Sequence, residues 1–452
     1  MKRQILITLC VLTVLEASAL RMSFGESLES SSQQEPRPLS LQKYLDPDAG
    51  MNAAGSVAYA LTHNGELLAA RAEVEAGRGL VKQAQLRPNP SIEWNGSRQV
   101  DGKDNALMIS GALPLELGGR RTARVTVAQR ELELREKAVI DRERILAAEV
   151  RAKFGESLSQ IMKLGFTEEL LANSRRGYKL VEARVVEGRT APLEQNMVLV
   201  EVNRLRSIRE MNESKVEISL LELRNLIGMP ADETLRLRGD FDQLLSSLKP
   251  VSEAVEKALQ QRPDLEMARA REGLAEAKLA EARVAGRADA SLNAGYQRMN
   301  SSFPVFGSNE DGQLRPVQDV FHFLTFGVTI SLPVRNKNQG AIEAALADLE
   351  AARKRREFAE LTIRREVTAA YAEYERAARA MEIYRVGVKE QAGTNLEVVR
   401  QTYELGSKTL LDFIAEQRRF IELQNEYIDA LLATYLARVA ISRTTASAEL
   451  VQ

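Results

Sequence analysis

Two stretches of the chain repeat apolar residues at helical spacing over far more than a globular helix needs. After Gly118-Gly119 one pattern of about 65 residues runs to Gly188. Ile140, Ala147, Val150, Phe154, Ile161, Leu164, Leu171, Tyr178 and Val185 fall on one heptad-like seam. A second pattern of similar length runs from Gly340 to Glu404, where Ile363, Val367, Ala370, Tyr374, Ala377, Met381, Tyr384 and Val388 step by four and three without a break. Each is followed by a return helix, predicted over 193–227 and 410–446, and preceded by a shorter one, predicted over 57–86 and 253–286. Pro88 and Pro90 stop the first of these, and Gly228-Met229-Pro230 stops the first return helix.

Between each short helix and the long one after it, the period drops to two. Ile92 and Trp94 share one face of 91–100, and Leu107, Ile109 and Leu113 lie along 105–117, with Asp101-Gly102 as the turn. The later copy is clearer: Leu324, Phe326, Val328, Ile330 and Leu332 alternate with Thr325, Gly327, Thr329 and Ser331. Roughly ten residues of that kind suit a tilted strand in a membrane barrel. The polar stretch Phe303–Val320 is predicted as an external loop. Trp94 and the Phe321/Phe323 pair are candidates for an interfacial aromatic belt.

The two halves are copies. At an offset of roughly 218, Val181, Gly188, Leu193 and Glu194 match Val399, Gly406, Leu411 and Asp412, and Leu113-Pro114 returns as Leu332-Pro333. The expected organisation is a signal peptide (1–19), an extended lead-in (20–56) with a short anchoring contact, a first repeat (57–250), a second repeat (251–448) and a C-terminal tail (449–452). The first repeat holds a hairpin at 91–117, a tip turn at 188–194 and a connector at 228–250; the second holds a hairpin at 290–333 and a tip turn at 405–412. At 1.5 Å per residue each long helix approaches 100 Å. The helices 193–227 plus 253–286, and 410–446 plus 57–86, sum to about the same length, so four columns of equal height are predicted. Hairpins then sit at one end and Gly turns at the other. Four strands cannot close a barrel, since eight is about the minimum, so an oligomer must share one. The fold class is mainly α with a β-barrel part.

Composition narrows the function classes. The 452 residues carry a net charge of −1, with 28% charged and 5% aromatic residues, and no basic cluster interleaved with aromatics, so nucleic acid is not an expected partner. Lys2 and Arg3, the apolar run Ile5–Leu15 and Ala17-Ser18-Ala19 have the form of a secretory signal. The single cysteine, Cys10, lies inside that run and comes too early for a lipidation site. His63 and His322 are the only histidines, too few for a tight zinc or copper site, and no cofactor is implied. Met108, Met299 and Met381 are packing residues in this reading. No phosphate-cradling Gly loop and no nucleophile–base pair stands out, which argues against an enzyme.

The duplicated plan of helix, hairpin, long helix, Gly turn and return helix resembles the outer-membrane efflux proteins, the TolC family, over about residues 50–448. Pro114-Leu115-Glu116-Leu117-Gly118-Gly119-Arg120-Arg121 is similar to the start of the first long helix in the heavy-metal (cobalt–zinc–cadmium) branch. The resemblance implies a homotrimer with a twelve-stranded outer-membrane barrel in lipid and a twelve-helix periplasmic tunnel. It implies passive export of metal cations or small toxic compounds, with a periplasmic adaptor and an inner-membrane pump as partners and no catalytic residues. It also implies a periplasmic gate. Asp412 matches a ring aspartate, and Glu194 matches an acid held by a tyrosine and an arginine, here Tyr403 and Lys408. Gly188 and Gly406 become the adaptor-contacting tips. Ala415 stands where a second ring acid is expected, and Lys408 gives a point charge without an arginine fork. Alternatives are the conduit of a type I protein secretion system, a pore-less coiled-coil adaptor, and, for Glu194 and Asp412, simple helix N-terminal charges.

Overall fold

The computed structural model describes residues 41–241 and 250–446. The expected signal peptide, the lead-in before residue 41 and the tail 449–452 lie outside the described residues. Within them the chain is mainly helical, with long coiled-coil-like helices and one small open sheet. Helix α1 (Ala53–His63) and α2 (Gly65–Gln85) precede strands β1 (Ser91–Arg98) and β2 (Asn105–Pro114). Then come α3 (Arg120–Val186) and α4 (Pro192–Ile227). The second half repeats this order with α5 (Val251–Gln261), α6 (Pro263–Ala285), β3 (Asp289–Ser308), β4 (Leu314–Ser331), α7 (Gln339–Glu382), α8 (Glu390–Glu404) and α9 (Leu410–Thr444).

Each short helix is split, where a single one was expected. Asn64 breaks the first: its backbone is extended and its Oδ1 accepts from Leu67 N at 3.0 Å, capping α2. Arg262 breaks the second, because the residue before Pro263 is driven out of the helical region. The breaks also decide which helices stack. Asn64 Nδ2 donates to Leu226 O at 2.9 Å at the end of α4, and Arg262 Nη1 donates to Thr444 O at 3.4 Å at the end of α9. The half-length columns are therefore α4 on α2 and α9 on α6, each within its own repeat, and the cross-repeat pairing expected from lengths is wrong. Each junction sets the N-terminus of one helix on the C-terminus of another, so the helix dipoles run head to tail. Arg144 strengthens the second junction: it is buried, bonds Asp141 at 2.6 Å and donates to Arg443 O at 2.6 Å.

The second long helix is not uniform either. Between α7 and α8 the turns of Ile383–Lys389 widen to π geometry, interrupting the expected unbroken seam around Tyr384 and Val388.

The motif Pro114–Arg121 has a structural role. Glu116, Gly118 and Gly119 take positive φ (49°, 72° and 89°), turning a strand into a helix within a few residues. Arg121 then donates to Gln85 O, Arg124 to Ala84 O and Leu86 O, and Arg120 to Ala285 O and Arg287 O, so the start of α3 caps the carbonyl ends of both short helices.

The sheet runs β1-β2-β3-β4, antiparallel throughout, with β1 and β4 each paired on one side only among the described residues. β3 and β4 hold 20 and 18 residues, and the turn between them is only Asn309–Gln313. The polar segment expected as a loop is thus mostly strand: its backbone pairs across the hairpin with a register shift between Ser302 and Phe306, whatever its side chains. One sheet face is apolar and exposed, with Trp94, Ile109, Tyr296 and Leu324 in a single row and Phe326 80% exposed.

The largest core joins α1, α3, α4 and α9 around Phe154, Ile161, Leu223, Phe241 and Tyr435. The segment just before α1 docks onto it. Tyr44 is buried, and Leu45 and Met51 bridge to the fully buried Leu237 in the connector. The anchoring contact expected of the lead-in is therefore present, and α1 begins at Ala53 rather than 57.

Candidate functional site at the helical tips

The two Gly turns are built alike. Gly188 and Gly406 have φ of 72° and 78°, a conformation that costs most side chains energy, and the turn closes by Arg189 N→Arg184 O (2.8 Å) and Ser407 N→Thr402 O (2.9 Å). Nothing lies within 4 Å of where a Cβ would stand on either glycine. The tips are open surface.

The helices after the turns start differently. Pro192 occupies the first turn of α4, and Ala191 before it has no side chain able to cap, so Glu194 is not drawn into a capping box. Its carboxylate instead accepts from Tyr403 Oη at 3.3 Å, which ties the first tip to the second. Tyr403 stacks on Phe413, 6.0 Å between ring centres and 10° between planes. Burial first, then the nearby Glu194 charge, pushes the Tyr403 hydroxyl up, with Arg184 as an opposing cation. In α9, Thr409 and Asp412 form a reciprocal capping box: Thr409 Oγ1 accepts from Asp412 N (3.2 Å) while Asp412 Oδ2 accepts from Thr409 N (3.0 Å). The Thr409 backbone N–H, its hydroxyl and the Lys408 charge hold the Asp412 carboxyl below its ordinary value. Within the single chain Lys408 makes no ion pair with Glu194. It is exposed, and its charge acts on the Asp412 carboxylate four residues on. Asp412 and Ala415 are both exposed, one turn apart.

Further from the tips lies a cluster that sequence reading missed. Glu201 of α4 has a side chain only 3% exposed. Arg204, on the same helix, donates to it through Nε (2.9 Å) and Nη2 (2.6 Å); Arg418, on α9, does so through Nε (3.2 Å) and Nη2 (2.9 Å). Burial alone would raise the Glu201 carboxyl, but hydrogen bonds and charge from the two guanidiniums outweigh it and hold the group below the usual carboxylate range. Around it Leu170, Leu171, Val202, Leu205 and Ile421 pack together, and Gln417 Nε2 donates to Ser174 Oγ at 3.0 Å. A signal was available: Glu201 falls among Val198, Val202 and Leu205 on the apolar stripe of α4, where an unpaired carboxylate would be costly. The site can hold two helical hairpins together through side chains alone. No group of three His, Cys, Asp or Glu is placed to hold a metal among the described residues.

Residues 57–229 and 254–447 match the sequence model of a family described as outer membrane efflux protein. The chain is 23% identical over 416 residues to the cobalt-zinc-cadmium resistance protein CzcC of Cupriavidus metallidurans, covering 90% of each chain. It is 26% identical over 261 residues to the nickel-cobalt-cadmium resistance protein NccC of Alcaligenes xylosoxydans xylosoxydans, covering 57% of this chain and 53% of the relative. Its fold superposes on a crystal structure of CusC with a TM-score of 0.72 at 18% identity, covering 88% of this chain and 92% of that one.

Proposed function

The chain belongs to the outer membrane efflux protein family, and from this premise we propose that it is the outer-membrane channel subunit of a tripartite efflux system. It works as a homotrimer whose three sheets close one twelve-stranded barrel and whose helices continue as a periplasmic tunnel. One observation carries this reading: an open sheet with an exposed apolar face whose edge strands, β1 and β4, are each paired on one side only among the described residues. Such a sheet is an aggregation hazard in water, and closure in a bilayer removes both problems together. A pore-less coiled-coil adaptor has no use for it.

The cargo is a divalent metal cation, a reading supported by the two metal-resistance relatives. No dense ligand cluster is needed, because a conduit passes what it does not bind. The helical tips form the periplasmic gate. Glu194 with Tyr403 latches one hairpin to the other, Asp412 supplies negative potential near the threefold axis, and Lys408 tempers it. The open glycine turns at Gly188 and Gly406 receive the adaptor, which couples the channel to an inner-membrane pump. Deleting the protein should sensitise cells to cobalt, zinc or cadmium, with a heat-resistant trimer in the outer membrane of complemented cells. A soluble monomer, or unchanged metal tolerance in a strain with no second channel, would sink the reading.

A further inference from the structure

The sheet holds a feature that the channel reading does not use. Residues directly opposite in an antiparallel sheet share a face, so the register sorts every strand residue. The row Trp94, Ile109, Tyr296, Leu324 lies on the apolar face, which in a barrel turns to lipid. The opposite face carries Glu93, Asn95, Ser110, Asn293, Thr325 and Thr329, as a water-filled lumen requires. Phe321 and Phe323 belong to this second face, beside Met299 and Gln297. They are therefore not part of a lipid belt with Trp94, as their aromatic character suggested.

On the polar face they form a chain of rings. Phe303 meets Phe321 edge-on at 5.9 Å and 76°, and Phe321 stacks with Phe323 at 6.2 Å and 24°. Phe303 and Phe323 remain 40% and 42% exposed, and no helix covers this face among the described residues. The cluster also has a defined height. Phe321 lies in the row Ser97, Ala106, Met299, one step before β1 and β2 end at Arg98 and Asn105, at the sheet end far from the helices. At that level the β1–β2 turn grips the longer hairpin, Ser302 N donating to Asp104 Oδ1 at 2.8 Å.

We propose that Phe303, Phe321 and Phe323 line the outer mouth of the trimeric barrel as an apolar collar, a second barrier in series with the periplasmic tips. The proposal rests on the channel reading above. A barrel of eight strands is just filled by its side chains, and one of twelve is roughly half as wide again. The short polar side chains of the lower rows leave a wet path through it, whereas three rings from each of three subunits narrow and dry the mouth. A hydrophobic constriction gates by dewetting: hydrated ions cross it poorly although the opening is wider than the ion. The collar slows hydrated ions in both directions, so exported cations cross it down the gradient that the pump builds inside the tunnel, while the more dilute ions and hydrophilic solutes outside return poorly.

The test is single-channel recording of the purified trimer in planar bilayers, in the native chain and in a Glu194→Gln/Tyr403→Phe background that weakens the tips. Phe321→Ser/Phe323→Ser should raise conductance several-fold in that background, while Phe321→Leu/Phe323→Leu, apolar and foldable, should stay near the parent. Equal conductance in the Ser and parent proteins, or Leu conducting as well as Ser, overturns the collar. A second measurement does not depend on repacking: Phe323→Cys should lose current to a membrane-impermeant thiol reagent added outside, and Leu324→Cys should not. Block at 324 and not at 323 overturns the face assignment. If the native trimer forms no channels at all, the channel reading fails and the collar with it; channels indifferent to the collar residues condemn the collar alone.

Discussion

Whether the proposed gate opens by parting the two hairpins is best tested at the Glu201–Arg418 contact, which joins α4 to α9 behind the tips through one definable pair. In Arg418→Met the apolar stem is retained and the cation lost; in Glu201→Gln the shape is retained and the charge lost. A hydrogen bond to a charged group is worth about 1.5–3 kcal/mol net. Breaking a fully buried pair costs about 3–5 kcal/mol, because a charge is left stranded. Neither figure applies whole. Arg418 is 49% exposed and Arg204 35% exposed, so solvent screens both, and Arg204 still neutralises Glu201 when Arg418 is gone. About 1 kcal/mol per subunit is the appropriate coupling. If three subunits open together, about 3 kcal/mol is at stake, roughly 150-fold in the open-to-closed ratio.

Two readouts check this. A double-mutant cycle on denaturant unfolding of the trimer should return about 1 kcal/mol of coupling between the two positions, and a value within the usual additivity error of about 0.3 kcal/mol refutes the pair as a clasp. In bilayers, Glu201→Gln and Arg418→Met should each lengthen open periods, with the double variant scarcely beyond either. The pH dependence has a fixed sign. Glu201 has a depressed carboxyl in the folded state, so its stabilisation is fully present above the unfolded value of about 4.3 and is lost as pH falls through the lower folded value. The clasp should therefore be indifferent to pH between about 7 and 5 and loosen only in stronger acid. Opening near neutral pH that disappears in Glu201→Gln would contradict the argument.

Other positions separate packing from gating. A Cβ on Gly228 would stand 2.3 Å from His63 O at φ +80°, so Gly228→Ala should cost about 1–3 kcal/mol or more in trimer unfolding, since backbone cannot move aside cheaply. Gly155 is buried against Tyr435, and a Cβ there would stand 2.3 Å from the tyrosine ring, so Gly155→Ala should cost about 1–3 kcal/mol by overpacking. Gly177, with nothing within 4 Å, should gain about 0.5–1 kcal/mol on the same change. Thr409→Ala removes the cap and spares the charge, whereas Asp412→Asn removes the charge and spares an acceptor. If Asp412 lines the axis, only the second changes cation selectivity in bilayer recordings; identical effects would make the residue a cap and nothing more.

Much of this architecture was legible in apolar spacing alone. The long helices, the return helices and both hairpins follow from a period that changes between 3.6 and two, because burial enforces that period along every element. What the pattern hides is interaction at a single residue. Apolar spacing runs straight through Asn64 and Arg262, although Asn-Gly and Arg-Pro pairs mark the breaks. Column lengths balanced equally well in the wrong pairing, since length carries no information on which helix end meets which. The polar composition of 303–320 concealed strand, because a β ladder is made by backbone. At the tips, the Tyr403–Glu194 contact follows from the resemblance, whereas nothing but its place on the apolar stripe sets Glu201 apart from the other charges of α4.

The duplication is most informative where the copies differ. Both turns reverse on a glycine and both return helices have an acid at their third helical position, but only the second has a threonine to pair with it. Asp412 is thereby committed: its Oδ2 already accepts from the Thr409 backbone and hydroxyl at 3.0 and 2.8 Å, and only its remaining capacity faces solvent. Glu194, with Ala191 and Pro192 before it, has no local donor competing for its carboxylate and reaches across to Tyr403 instead. One acid has become a brace within its own hairpin and the other a link between hairpins. With Ala415 in place of a second acid, the proposed ring has Asp412 as its one carboxylate on the first turn of α9. If the tips are the proposed gate, the contacts that bridge hairpins, at Glu194 and Glu201, hold it closed more than an acidic ring does. Exchanging the two starts tests that directly: Ala191→Thr should draw Glu194 into a capping box and loosen the latch to Tyr403. The expected result is longer open periods in bilayers with no loss of trimer stability, and unchanged gating would show that the link to Tyr403 does not close the tip.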